Sequence, residues 1–408
     1  MRVLKVMKRR ILFVEDNPVL LQLYGMMLEG QEDWEVVTAD RGEAALQFLE
    51  ATPFDVVVSD LRMPGMDGVQ LIHEVRERYP RTSRIILSGL SDQQEIAECL
   101  GDTHQFLAKP FTAKALKGTL TRLCGLDTYL QDEALRSLAG RLGNLPSFPT
   151  LYLDIMQELA TAAPSLENIA NIVAQDPAMT AKVLQISNSA AFGLERQVHS
   201  PFDAVQYIGT SIVRSLALSA HVFATFESAE LRSFSITRLW DHALKTAMLA
   251  RAILRTSGAE PPDVEDAYTA GMLHDIGKMV LAANLPEPFQ AALRVAREKK
   301  CPLHEAEQNI FGANHAGVGA YLLGLWGLPA AIVEAVAFHH TPGLSEERRL
   351  GALAAVHIAS ALEHELQGAE PEGEPAALDR AFLAAAGLQD QLDSWRSEAN
   401  RLFATPEV

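Results

Sequence analysis

The chain has 408 residues, is 48% hydrophobic and carries a formal net charge of −17. That length exceeds one ordinary core and predicts two domains plus an appendage, and the composition is that of a folded chain. So negative a balance argues against wrapping a nucleic-acid backbone, because that affinity rests on Lys and Arg displacing counterions. Cys99, Cys124 and Cys301 are widely spaced, with no C-x-x-C pair or disulfide framework, which fits a reducing cytoplasm. Basic residues interrupt the apolar ones in MRVLKVMKRRILFVEDN, so no signal-peptide core is expected. No apolar run reaches the length that crosses a bilayer.

Short apolar runs followed abruptly by polar groups dominate the first segment. RILFV (10–14) leads into Glu15-Asp16-Asn17, Val56-Val57-Val58-Ser59 ends at Asp60, Ile85-Ile86-Leu87 ends at Ser88, and Gln105-Phe106-Leu107-Ala108 ends at Lys109-Pro110. Helical patterns lie between them, at Pro18–Glu29, Glu43–Glu50 and Val69–Tyr79. Alternating strands and helices predict a parallel sheet covered on both faces, with functional groups gathered at the carboxyl ends of its strands. Three carboxylates at such an edge repel one another unless a hard cation such as Mg²⁺ joins them. A carboxylate beside Mg²⁺ is a nucleophile toward a phosphoryl donor, and a Lys and a Ser suit the oxygens of the product.

VEDN, SDLRMPGMDG, Ser88-Gly89 and FLAKP together resemble the response-regulator receiver domain, over about Arg9 to Leu123. The resemblance implies a doubly wound, five-stranded parallel sheet of flavodoxin-like α/β type. It makes Asp60 the phospho-acceptor and Asp16 the principal Mg²⁺ ligand, with Glu15 and the backbone carbonyl of Arg62 contributing. It also implies that Ser88 and Lys109 meet the phosphoryl group and that Phe106 is the switch aromatic. Gly101-Asp102-Thr103-His104 departs from the small-residue pair usual before that aromatic.

Residues 124–145 predict a helical connector with Leu126, Leu130, Leu135, Leu138 and Leu142 at mixed spacing, too irregular for a coiled coil. GNLPSFP (143–149) ends it. From there the pattern is helical to about residue 366, and Asp176-Pro177 reads as an N-cap followed by proline at the first helical position. His242 opens a helical run after Trp240-Asp241, His274-Asp275 stand in AGMLHDIGKMVL, His315 begins HAGVGAYLLGLWGLP, and His339-His340 close a helix. Imidazole and carboxylate ligands of this kind suit Zn, Fe, Mn or Ni, and such a metal lowers the pKa of a bound water enough to attack a phosphodiester. Lys278, three residues after Asp275, falls on the same helical face and is a candidate phosphate contact.

LPSFPTL, QDPAMTAKVLQISNSAAFG, AGMLHDIGKMVL, HAGVGAYLLGLWGLP and the HH pair resemble the HDOD domain of the HD phosphohydrolase superfamily, across most of residues 140–365. The superfamily's active members carry one more aspartate late in the domain, and in AAVHIASALEHE that position reads as Ser360, with Glu363 one turn on. HHTPGLSEERR also lacks the GYP element of cyclic di-GMP phosphodiesterases. A serine hydroxyl is a poor substitute for an anionic ligand. The expectation is therefore an HDOD domain over 146–366 without phosphohydrolase turnover, its six site residues keeping a candidate or vestigial metal site. QGAEPEGEP opens a segment, 367–408, read as an acidic linker and a helical extension that either packs back or meets a partner.

The expected whole is a cytoplasmic response regulator, with receiver domain at 9–123, connector at 124–145 and HDOD output. Its partners would be a sensor histidine kinase and downstream signalling proteins, with a homodimer open and neither direct DNA binding nor membrane contact expected. The competing expectation is a phosphorylation-gated, metal-dependent phosphodiesterase acting on a nucleotide or cyclic dinucleotide.

Overall fold

A computed structural model describes residues 8–31, 33–79, 82–88, 103, 105–114, 116–121, 138, 150–161, 163–187, 198–227, 235–367 and 377–403. The chain folds as two compact units, one built on a sheet and the other helical.

In the first unit five parallel strands, β1 (Arg9–Val14), β2 (Trp34–Ala39), β3 (Val56–Asp60), β4 (Ser83–Ser88) and β5 (Gln105–Ala108), lie in the order β2-β1-β3-β4-β5. The central runs Ile11–Val14, Val56–Val58 and Ile85–Leu87 are buried, as β-branched strands covered on both faces must be. Helices α1 (Pro18–Leu28), α2 (Gly42–Ala51) and α3 (Gly68–Arg78) supply part of that cover. Asn17 caps α1 by accepting from the Val19 amide, and Asp67 and Gln70 form a reciprocal capping box on α3. The register then sets the functional edge: Val14 lies beside Ser59, Asp60 beside Leu87, and Ser88 beside Ala108. Glu15, Asp60, Ser88 and Lys109 therefore come off neighbouring strands at one end of the sheet.

The second unit contains α4 (Thr150–Leu159), α5 (Leu166–Ala174), α6 (Pro177–Ser187), α7 (Pro201–Ile208), α8 (Thr210–Glu227), α9 (Ile236–Thr256) and α10 (Pro261–Leu273). It continues with α11 (Ile276–Asn284), α12 (Pro286–Lys299), α13 (Leu303–Phe311), α14 (His315–Leu325), α15 (Ala330–Phe338) and α16 (Ala352–Gln367). Asp176 accepts from the Met179 amide at 2.9 Å, so the Asp-Pro pair does cap α6. Helix α9 begins at Ile236, so His242 sits in its second turn rather than opening it. Helices α9 and α10 form a tightly packed hairpin, and α16 packs on both. Every residue from Ala267 to Ala282 and from Gly351 to His364 is buried. These two stretches are the centre of the unit, so any charge on them needs a partner inside the protein.

The extension packs back. Helices α17 (Arg380–Ala385) and α18 (Leu392–Phe403) follow α16, and α18 buries Trp395, Ala399 and Leu402 at helical spacing against α9 and α16. Arg396 Nε reaches Glu365 Oε2 at 3.1 Å beside that contact. The connector expected at 124–145 lies outside the described residues except for Leu138. Among the described residues no helix is long and apolar enough to cross a membrane.

Candidate functional site

At the sheet edge Lys109 Nζ lies 2.8 Å from Asp60 Oδ1 and 2.9 Å from Glu15 Oε2. Glu15 is buried, Asp60 half-buried and Asp16 exposed, and one oxygen of each falls within 4.8 Å of the others. Oxygen-only donors at that separation fit Mg²⁺, which also keeps part of its water shell. Burial raises Glu15, and the Lys109 ammonium pulls it back. Burial likewise works against charge on Lys109, but its hydrogen bonds to Asp60 and Glu15 prevail and hold the ammonium charged. Tyr24, whose hydroxyl faces Glu15 Oε2 at 3.4 Å, is pushed up to about 12 by burial.

Three backbone features fix this edge. The Leu61 amide donates to Asp60 Oδ1 at 2.8 Å, and the Lys109 amide donates to the Ser88 carbonyl, which aligns β4 with the loop after β5. A Cβ on Gly68 would lie 2.1 Å from the Asp60 carbonyl oxygen, so only glycine lets α3 start so close to the acceptor strand. Ser88 is buried at the end of β4 and Arg62 is exposed in the loop after β3. Phe106 lies in β5, and its side chain falls outside the described residues.

In the helical unit all six residues singled out from the sequence converge. Ligand atoms of Asp275, His315, His339 and His340 lie within 4.8 Å of one another, as do those of His242, His274 and Asp275. Two glycines make this possible. A Cβ on Gly271 would lie 2.5 Å from Ala247 Cα, where α9 and α10 cross, and one on Gly277 would lie 1.9 Å from the His315 carbonyl oxygen, where α11 meets α14. The glycine of HDIGK thus seats His315 against Asp275.

The imidazoles are held in one sense. Nδ1 of His274 faces the Gly271 carbonyl at 2.8 Å and Nδ1 of His339 faces the Val336 carbonyl at 2.8 Å. Nδ1 of His242 meets Glu363 Oε2 at 2.7 Å and Nδ1 of His315 meets Glu307 Oε2 at 2.6 Å. Carbonyls and carboxylates only accept, so each Nδ1 carries hydrogen and each ring turns Nε2 to the centre, where it offers a lone pair whenever the ring is neutral. Nε2 of His242 lies 3.0 Å from that of His274, and Nε2 of His315 lies 2.8 Å from that of His340. Lone pairs so opposed need a proton or a cation between them. Among the described residues Asp275 Oδ1 and His339 Nε2 are buried without a well-aligned hydrogen bond, although His315 Nε2 lies 3.2 Å from that oxygen. Acceptors behind the rings and open Nε2 atoms in front match what a transition metal requires of its ligands.

Charge in the centre is balanced locally. Lys278 Nζ bonds Asp275 Oδ2 at 2.8 Å, so the expected phosphate contact is an internal ion pair on a buried side chain. Burial would raise Asp275, but Lys278 and the surrounding imidazoles hold it well below the usual carboxylate range. Burial lowers His274, His339 and His340. It also opposes charge on His315, yet Glu307 and Asp275 raise that ring to about 9.

Four participants have no counterpart in the sequence reading of the centre or only a marginal one. Glu307 backs His315, His304 stacks on His340 with centroids 4.2 Å apart, and His364 stacks on His242 at 4.4 Å. Glu363 joins His242 and also lies 3.5 Å from Lys245 Nζ, a supporting position rather than an inward one. Ser360 is buried on α16 one turn before it.

Similar proteins account for both units. The family profile described as response regulator receiver domain matches residues 11–121, and that described as HDOD domain matches residues 145–342. An uncharacterized protein of Treponema pallidum (strain Nichols) is 26% identical over 212 residues, 52% of this chain and 40% of that protein. The response regulator protein FleR of Pseudomonas aeruginosa is 34% identical over 119 residues, 28% of this chain and 24% of FleR. The chain spans less than half the length of these curated relatives. A crystal structure of an HDOD domain protein of unknown function from Geobacter sulfurreducens superposes with a TM-score of 0.53 at 22% identity, over 69% of this chain and all of that one, and shows the helical fold alone. Together the two matched domains make the chain a response regulator in which a receiver domain is joined to an HDOD domain.

Proposed function

We propose that this two-component response regulator is phosphorylated on Asp60 by a sensor histidine kinase in the cytoplasm and passes the signal on through its HDOD domain by binding protein partners. The observation that carries the first half is the Lys109 ammonium bridging Asp60 and Glu15 beside Asp16. An Asp60 oxygen attacks the phosphorus of the kinase's phosphohistidine, the P–N bond breaks, and the electron pair leaves with the imidazole. Glu15, Asp16, Asp60 and the Arg62 carbonyl would hold Mg²⁺, which when bound would supply neutralising charge for the phosphoryl oxygens. Lys109 shifts its contact from the carboxylate to the new phosphoryl group, which brings a charge of about −1.5 to −2 near neutral pH. Ser88 donates to the same group, and its movement with Phe106 re-shapes the receiver face that signals onward, to the HDOD domain or a second copy.

For the output, binding without turnover is the reading that fits the carboxylates. Ser360 brings none to the centre, and Glu363 is committed to His242 and Lys245. His242, His274, Asp275, His315, His339 and His340 would still hold a transition metal, which when bound supplies a Lewis acid and an acidified water. The second reading, a phosphorylation-gated phosphodiesterase for a nucleotide or cyclic dinucleotide, is favoured by the convergence of pinned imidazoles on Asp275. Metal analysis of the purified protein with a nucleotide-hydrolysis screen, before and after acetyl phosphate, decides between them. Metal without turnover in either state supports binding output; turnover that vanishes in Asp275→Ala establishes the enzyme.

A further inference from the structure

Two cavities in the helical unit, of about 410 and 420 Å³, share Arg251 and Arg255 in their linings. These residues are four apart on α9 and so project from one face of it. In a chain of net charge −17 a paired cationic face requires a reason. Arg255 is exposed and has no ion pair among the described residues.

The first cavity adds three further features. One is the start of α8, an eighteen-residue helix. Its N-cap, Gly209, has φ of 87° and no side chain with which to cap, and the first amide bonded back is that of Val213, to the Gly209 carbonyl. The amides of Thr210, Ser211 and Ile212, which line the cavity, thus stand at the positive end of the helix dipole. The second is Tyr268, 2% exposed, which lines the cavity, feels the charge of Arg251 and has a buried hydroxyl without a hydrogen-bond partner among the described residues. A buried hydroxyl left unpaired costs about 1–3 kcal/mol, so native structures seldom keep one without a use. The third is an apolar wall of Ile208, Ile212 and Val264. One carboxylate, Glu265, also lines the cavity, and Arg214 lies 3.7 Å from it, so the lining stays positive.

We infer that this cavity binds a small phosphate-bearing organic molecule of nucleotide size. Its phosphate lies between the amides of residues 210–212 and the guanidinium groups of Arg251 and Arg255, and accepts a hydrogen bond from the Tyr268 hydroxyl. Its body lies on the apolar wall, and about 410 Å³ is within the range of small-molecule sites. The site is separate from the histidine centre, though the two share a hairpin. Arg251 follows His242 by nine residues on α9, roughly 13 Å along the axis, and Tyr268 precedes His274 by six, roughly 9 Å. Occupancy at one end of α9 and α10 therefore stiffens the elements that carry the centre at the other.

Isothermal titration of the full chain with AMP and GMP, and with adenosine, guanosine and inorganic phosphate at constant ionic strength, tests the inference. A mononucleotide is expected to saturate one site, with its nucleoside and free phosphate each at least about tenfold weaker. Arg255→Gln, an exposed change that leaves the fold intact, is expected to weaken it about tenfold or more, and Tyr268→Phe several-fold without lowering the melting temperature of the ligand-free protein. Failure of both mononucleotides to saturate at millimolar concentration overturns the inference. So does mononucleotide binding that Arg255→Gln leaves unchanged, which would place the ligand elsewhere, the histidine centre included.

Discussion

Replacing Gly277 with alanine sets two effects of opposite sign against each other. Alanine is favoured over glycine by at most about 0.8–1 kcal/mol, the helix-interior value, at Gly277 in the first turn of α11, so propensity alone calls for a more stable protein. The added Cβ, however, would sit 1.9 Å from the His315 carbonyl oxygen and 2.8 Å from the Gly319 amide nitrogen, where ordinary contact begins at 3.4 Å. Both neighbours are backbone, so no rotamer change relieves the clash and α14 must retreat from α11. Over-packing a core commonly costs about 1–3 kcal/mol, and a rigid backbone neighbour belongs at the upper end of that range. The net expectation is a loss of about 1–2 kcal/mol from the helical unit, with His315 Nε2 drawn away from its position 3.2 Å from Asp275 Oδ1. Urea unfolding followed by circular dichroism reads the first effect and Mn²⁺ affinity the second. Gly25→Ala is the control: Gly25 is in α1 with nothing within 4 Å of its added Cβ, so that change should stabilise the receiver by about 0.5–1 kcal/mol. If Gly277→Ala is as stable as the parent and binds Mn²⁺ as well, the close approach of α11 and α14 does not exist as described.

Asp60→Asn is expected to abolish phosphoryl incorporation from acetyl phosphate, measured by mass; persistent labelling would move the acceptor elsewhere. Lys109→Met leaves the buried Glu15 carboxylate without its cation and should cost on the order of 2 kcal/mol in chelator, a loss that millimolar Mg²⁺ partly reverses in thermal melts. No effect of Mg²⁺ on that variant would refute the carboxylate cluster as its site. Ser360→Asp buries a new charge, so the metal-free protein should melt lower, while Mn²⁺ affinity rises about tenfold or more. Unchanged affinity would show that position 360 does not reach the centre. Trp395→Ala should cost about 3–5 kcal/mol of helix α18 docking, seen as faster proteolysis after residue 367.

The receiver site was legible in the sequence because each of its groups interrupts an apolar run at the point where a strand must end. VVVS-D and RILFV-ED announce both the strand and the edge at once. Strand β2 is harder to read from its residues, since WEVVTA is a half-exposed edge strand that alternates weakly. In the helical unit the inward ligands were legible as histidines, but the groups that aim them were not. Glu307 reads as one of two glutamates in LHEAEQNIF, yet it shares the buried face of α13 with Leu303 and Ala306, and a carboxylate on an apolar stripe is a sign that was available. Glu363 follows Ala359 and Leu362 on α16 in the same way. Taken alone, Ser360 suggests a centre that has lost a ligand. With Glu307 and Glu363 in place the centre has kept the buried carboxylates that hold Nδ1 of His315 and of His242 and so orient both rings. The common direction, Nδ1 outward and Nε2 inward at four separate rings, is the arrangement that a transition metal would require of its ligands.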